Sequence, residues 1–392
     1  MLNFWLFLCA GCPEFMSGND SSETTLIDSC ITDTFSQLYG PAALVTEEWR
    51  LVPPLQRFLV IPGKSGPRWI VPERARLGWP VLQQWRPYDV YSLCKWVLLA
   101  VAYRCGQLRR IPGVRRIGIA GNNVQPALGI SVERERFVPV VYIGTPGKSR
   151  KAVVTLVGLH DAKPFGVAKL PLSGGAATNI LREARMLEQL ASFKAGVAPK
   201  LLSADATTGR AVQEVVAGRI TGRRLTGRHI DWLCQVQTGG TITLMEHSRA
   251  LATRVRKLAL DQRQSDYIML LLQEIVDATP LPAVWVHGDF APWNLKETVH
   301  GLRAIDWEEA QKGGLPLVDL VYFFAIQGYL FGQRQDVMDG FFCQPLVQRY
   351  MAAFNLTHQQ ANRLVLLALT DFWLKRAQQG EQQHAAFLFA VI

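Results

Sequence analysis

Three oxygen-bearing side chains stand at fixed spacings in residues 285–309, WVHGDFAPWNLKETVHGLRAIDWEE: Asp289, Asn294 and Asp306. Two carboxylates and a carboxamide are hard oxygen donors, the kind Mg²⁺ takes while sharing itself with substrate phosphates, and a carboxylate also accepts protons. The apolar run Ala283–Val286 reads as a buried strand fragment that stops at His287-Gly288, so Asp289 lies on a loop beyond a strand end. Downstream, residues 294–297 and 302–306 read as a hairpin joined through Val299-His300-Gly301. A turn centred on His300 pairs Asn294 directly with Asp306, which predicts side chains about 5 Å apart.

The segment from His287 through Asp289 to Asn294, followed by Ile305-Asp306-Trp307-Glu308, resembles the catalytic loop and metal-binding segment of the aminoglycoside phosphotransferase and choline kinase superfamily. That superfamily is a branch of the protein-kinase-like fold, and the resemblance covers about residues 137–392. It implies an α+β protein with a small antiparallel-sheet lobe followed by a mainly helical one, and ATP-dependent phosphorylation of a small-molecule hydroxyl. By resemblance, Asp289 is the catalytic base, Asn294 and Asp306 hold Mg²⁺ on the nucleotide, and His287 braces the loop. Gly314-Leu-Pro-Leu-Val-Asp319-Leu resembles the family's Pro-x-x-Asp-Leu, which makes Asp319 a second brace.

Upstream the pattern changes to short strand-like runs, Phe137–Ile143, Ala152–Leu159 and Phe165–Leu170, which predict a three-strand meander. By resemblance its first connection covers the ATP phosphates, with Gly144 and Gly147 permitting close approach and Lys148, Arg150 and Lys151 supplying charge. The family's glycine-rich signature is missing here, and Gly147-Lys148-Ser149 is not a P-loop, since the upstream glycine and following helix are absent. Lys169, on the third strand, matches the lysine that binds the α- and β-phosphates. Its expected partner is a helix glutamate. Residues 179–192 carry Ile180, Ala184, Leu187 and Leu190 at helical spacing, with Glu183 beside that stripe and Glu188 as the competing choice. Two further strand-like runs flank a turn at 206–209, and backbone groups near Glu214 and Val216 are expected to meet adenine.

The whole chain sets looser bounds. Its 392 residues are 49% hydrophobic and 19% charged, an ordinary globular balance, and the net charge of +10 fits a polyanionic ligand or surface. With no recognisable nucleic-acid module, nucleic acid ranks last among partners. Seven scattered cysteines form neither a disulfide framework nor a metal set, which points to a reducing, cytoplasmic setting. The apolar start MLNFWLFLCAGC lacks a preceding basic residue and reads as a buried or misassigned beginning.

The expected organisation is an accessory module over 1–136, a sheet lobe over 137–217 and a helical lobe over 218–392. Residues 13–50 are polar and mixed, and the Pro- and Trp-rich stretch 51–92 suggests irregular packed turns. Ser92–Gly106 is an apolar run of helical length leading into Arg109-Arg110 and Arg115-Arg116. Burial as a core helix is the favoured reading, and an interfacial helix giving peripheral membrane contact through 92–116 is the sharper alternative. Helical patterns fill 228–278, whose many arginines favour a neutral or anionic acceptor: a sugar, an amino alcohol or a lipid-linked precursor. The rival functions are a nucleotide-binding pseudokinase and a membrane-surface adaptor.

Overall fold

The computed structural model describes residues 21–41, 43–47, 56–63, 65–120, 128–129, 137–194, 196–258, 260–332 and 338–392. The apolar start of the chain lies outside them. Two compact units form, the first from the residues up to Arg185 with Lys200–Val215, the second from Met186–Pro199 with Val216–Ile392. The chain is α+β, with sheet dominating the first unit and helix the second.

The first unit contains α1 (Ser21–Tyr39), β1 (Leu44–Thr46), β2 (Gln56–Gly63), β3 (Gly66–Pro72), α2 (Ala75–Leu82), α3 (Val90–Arg104), β4 (Arg115–Ala120), β5 (Phe137–Ile143), β6 (Lys151–Gly158), β7 (Pro164–Pro171), most of α4 (Gly174–Phe193), β8 (Leu201–Asp205) and β9 (Arg210–Glu214). Its strands form one antiparallel sheet in the order β1-β4-β2-β3-β5-β6-β7-β9-β8. Alternation along β2 shows how both faces are filled. Phe58 and Val60 join Ile31, Phe35 and Leu38 of α1 on one side, while Leu59 and Ile61 join Val81, Leu82 and Tyr103 of α2 and α3 on the other. The expected meander is β5-β6-β7, and residues on both sides of position 136 share its sheet.

Two stretches fold more regularly than their composition predicts. The polar stretch 13–50 contains α1, in which, among the described side chains, Ile31, Phe35, Leu38 and Tyr39 join the core. The proline-rich stretch 51–92 contains the β2–β3 hairpin and α2 instead of irregular turns. Three of its prolines occupy tolerant places: Pro62 follows a register shift after Ile61 and pairs with Pro67 near the turn, and Pro72 ends β3, whereas Pro80 lies inside α2. α3 forms where a helix is expected; it joins the core through Tyr103 and Leu99 but fully buries only Ala100 and Tyr103, so the core-helix reading holds for its inner side alone.

The second unit contains β10 (Arg219–Ile220), α5 (Gly227–Gln235), β11 (Gln237–Ile242), α6 (Leu244–Lys257), α7 (Gln262–Gln273), β12 (Leu281–Val286), β13 (Leu295–Thr298), β14 (Gly301–Ala304), β15 (Gln311–Gly314), α8 (Val318–Phe331), α9 (Pro345–Ala353), α10 (His358–Gln379) and α11 (Gln382–Val391). The expected helical stretch 228–278 is interrupted by β11, which pairs with β12. Small sheets β10-β13-β14 and β11-β12-β15 flank the 287–294 loop. Trp232, Phe290, Trp307 and Phe323 pack as an aromatic cluster beneath that loop. No helix among the described residues is long and apolar enough to cross a membrane.

Candidate active site

In the first unit, Lys169 and Glu183 meet. Lys169 lies on β7, paired with Val153 and Ala211, and its Nζ is 2.7 and 2.5 Å from the two carboxylate oxygens of Glu183 on α4. Both are buried, at 5% and 2% exposure, whereas Glu188 points to solvent. Ile180 and Ala184 bury the same helix face against Ala211, which fixes where Glu183 points.

The loop from Gly144 to Arg150 is tied to the start of α4. The Ser173 hydroxyl donates to the Lys148 carbonyl (2.7 Å), and Asn179 Nδ2 donates to Ser149 Oγ (3.2 Å). Gly144 closes the hairpin by donating its N–H to the Lys151 carbonyl (2.9 Å), and Gly147 bends the tip with open space around its Cα. Glu214 ends β9, its N–H donating to the Lys200 carbonyl (2.9 Å). Two residues further the chain enters the second unit, where the buried Val216 carbonyl accepts from Lys296 Nζ at 3.1 Å. Burial pulls the Lys296 ammonium down to about 8.

In the second unit, the 287–294 loop is built on backbone that few residues tolerate. Gly288 has φ +79°, and a Cβ there would fall 2.5 Å from the Glu309 carbonyl oxygen, so only glycine fits. Its N–H and that of His287 donate to the two Asp319 carboxylate oxygens at 2.9 and 2.7 Å. Asp319 lies in the first turn of α8, after Leu317 in left-handed backbone (φ +71°). The fully buried His287 takes the Asp289 N–H on Nδ1 (3.2 Å), so Nε2 carries the proton and donates to the Ile305 carbonyl (2.9 Å). His287 and Asp319 thus both hydrogen-bond backbone of the loop that carries Asp289.

Asn294 closes the loop from the other side. Its amide nitrogen donates to the Asp289 carbonyl (3.0 Å) and to Asp289 Oδ2 (2.8 Å), turning the amide oxygen away from Asp289. The hairpin register differs from expectation. Leu295 pairs with Ala304 and Thr298 with Gly301, so the turn is the two-residue Val299-His300, and Ile305, not Asp306, lies opposite Asn294, donating its N–H to the Asn294 carbonyl at 2.8 Å. A turn one residue shorter than expected moves the pairing by one position. Left-handed backbone at Asp306 (φ +66°), not strand pairing, orients its carboxylate. An aspartate tolerates that conformation. The Asn294 amide oxygen and the half-buried Asp306 carboxylate are an oxygen donor set that fits Mg²⁺.

Two residues that sequence reasoning missed also reach Asp289. The buried Tyr322 hydroxyl of α8 hydrogen-bonds the Asp289 carboxylate, and Arg376 Nη2 of α10 donates to the Tyr322 oxygen at 3.3 Å. Arg376 is steadied by Gln379 (2.9 Å) and Glu381 (3.4 Å). Tyr322 follows Asp319 by three residues, so one helix face turns both toward the loop, a spacing visible in sequence. Arg376 left no local sign. Desolvation raises the Asp289 carboxyl above the usual carboxylate range, with Tyr322 as the largest opposing influence and the Asp306 charge adding to the rise.

No curated protein matches this sequence. Similar solved structures include a GDP complex of an aminoglycoside 2'-phosphotransferase (15% identity, TM-score 0.43, 63% of this chain and 90% of that one). Others are the choline kinase of Streptococcus pneumoniae (17%, 0.44, 65% and 92%) and a type I macrolide 2'-phosphotransferase (14%, 0.44, 78% and 98%). A model of the phosphotransferase enzyme family matches residues 140–354, more than half of the chain and the span that holds Lys169, Glu183, Asp289, Asn294, Asp306 and Asp319. This chain therefore belongs to the phosphotransferase enzyme family.

Proposed function

We propose that this phosphotransferase moves the γ-phosphoryl group of ATP to a hydroxyl of a small molecule, with Asp289 as the base. The observation that carries the reading is the fixing of Asp289: its backbone is held through His287, and its carboxylate by Asn294 and Tyr322. A carboxylate so placed orients the acceptor hydroxyl and takes its proton as that oxygen bonds to phosphorus and the bond to the bridging oxygen breaks. Desolvation strengthens it as a proton acceptor. Lys169, ion-paired with Glu183, is assigned to the α- and β-phosphates, with Gly144 and Gly147 near them and backbone at Glu214 and Val216 on adenine. Asn294 and Asp306 are assigned to Mg²⁺, which when bound neutralises phosphate charge. Such an enzyme works in the cytoplasm, where its nucleotide is.

The acceptor class we favour is neutral or anionic: a sugar, an amino alcohol or a lipid-linked precursor. Arginines across 228–278 and Arg376 beside Tyr322 disfavour a polycation. The test is ATP consumption over a panel of such acceptors, with Asp289→Asn as control. The variant should keep ATP binding while turnover falls by about 10² to 10⁴. Equal loss of binding and turnover would remove Asp289 from the chemistry. ATP binding without consumption by any acceptor would favour a pseudokinase.

A further inference from the structure

We infer that α3 is an interfacial helix that lays its outer face on an anionic lipid surface. The helix is apolar along its length, VYSLCKWVLLAVAYR, yet only Ala100 and Tyr103 are buried in it. Val90, Tyr91, Val97, Leu98 and Val101 are 77%, 51%, 44%, 48% and 55% exposed. Their spacing of one, six, one and three residues gathers them on a single stripe, with the exposed Cys94 between its halves. This is a continuous apolar row on the outside of a helix, not a scatter of exposed side chains.

The inner side is firmly attached. The Tyr103 hydroxyl donates to the Pro72 carbonyl at 2.7 Å, and Gly78 leaves room for it, since a Cβ there would lie 2.1 Å from that oxygen. Leu99 packs on the cluster formed by Leu59, Val81 and Leu108. The exposed row is therefore presented by an anchored helix.

Charge selects the occupant. Residues 86–116 hold seven Lys and Arg against the single acid Asp89, and Asp89 is engaged as the helix N-cap, accepting the Ser92 N–H at 2.8 Å. Arg115 and Arg116 are drawn to Glu47 and Glu73. Arg86, Arg104, Arg109 and Arg110 are exposed, three of them at or just beyond the carboxyl end of the helix. Trp85, 40% exposed, adds an aromatic side chain before the helix begins. An apolar row bounded by cations and aromatic rings matches acyl chains under an anionic headgroup layer. At 15 residues the helix suits lying in that layer, not crossing it. The inference is independent of the phosphotransfer reading.

The experiment is sedimentation of the full chain with vesicles of phosphatidylcholine alone and of equimolar phosphatidylcholine and phosphatidylglycerol. The wild type should sediment with the anionic vesicles, more weakly with the neutral ones, and less as salt rises. Replacing Arg109 and Arg110 by Ala should lower the partition coefficient about fivefold per arginine. Leu98→Gln with Val101→Gln should also lower it, and unchanged thermal unfolding midpoints would show that both variants stay folded. No binding to anionic vesicles, or binding indifferent to both variants, overturns the inference. So does a stable dimer in solution that Leu98→Gln with Val101→Gln dissociates while no vesicle binding is seen, because a second copy would then cover the row.

Discussion

The Lys169–Glu183 pair and the Asp289 loop solve opposite problems of charge in a protein interior. The pair joins two opposite charges from a regular strand and a regular helix, closed at 2.5 Å and nearly dry. The loop holds carboxylates of one sign on irregular backbone, and offsets them with peptide N–H groups on Asp319, an amide on Asp289 and a tyrosine hydroxyl. A charge met by its opposite needs only two residues aimed at each other. Like charges kept together need a whole shell, which is why glycine at 288 and left-handed backbone at 306 and 317 cluster around the loop.

The largest effect that separates the two regions is on stability. Lys169→Met should destabilise the protein by roughly 3 to 5 kcal/mol, because it strands the buried Glu183 carboxylate, and adding Glu183→Leu should recover most of the loss. Denaturant titration of the three proteins reads this directly. A single variant as stable as the wild type would mean that water reaches the pair.

A second prediction uses the aromatic floor of the loop. His229 is fully buried against Phe290 and Phe323, accepts the Thr226 N–H on Nδ1 at 3.1 Å, and is held by desolvation at about 4. Below the ordinary histidine value the unfolded chain binds a proton that the folded chain refuses. Stability should therefore fall as pH drops from about 6.5 toward 4, by roughly 3 kcal/mol at most. His229→Gln keeps an acceptor for Thr226 and removes the titration, so its melting profile over that range should be flatter than that of the wild type.

The smallest effect sharpens the account of the shell itself. Tyr322→Phe removes one neutral donor from the Asp289 carboxylate and should lower kcat about tenfold, the cost of one such hydrogen bond, with ATP affinity unchanged. A tenfold rise in KM at constant kcat would instead place Tyr322 on the acceptor.

The same contrast explains what the sequence reveals. The ion pair is legible because each partner sits on a recognisable element: Glu183 beside the Ile180–Ala184 stripe of a helix, Lys169 within a short apolar strand run. The loop is legible as a motif, yet its geometry is not, since a two-residue turn in place of three moves Asp306 out of register with Asn294. Arg376 approaches from a helix distant in sequence, and no local pattern marks it. α1 hid because a few anchors in a polar segment carry little periodic signal, and the exposed face of α3 was illegible because an apolar run looks the same whether buried or exposed. The α+β class was legible through the family resemblance that the loop motif carries, with the order of strand-like and helical patterns agreeing with it.

The central claim is that the Asn294 and Asp306 oxygens hold Mg²⁺ on a nucleotide in front of Asp289, and thermal unfolding with Mg-ATP tests it most directly. At about 100 times its Kd, Mg-ATP should stabilise the wild type by roughly 2.7 kcal/mol. That gain should require Mg²⁺ and should vanish in Asp306→Ala. No stabilisation of the wild type, or an equal gain in the variant, would contradict the assignment.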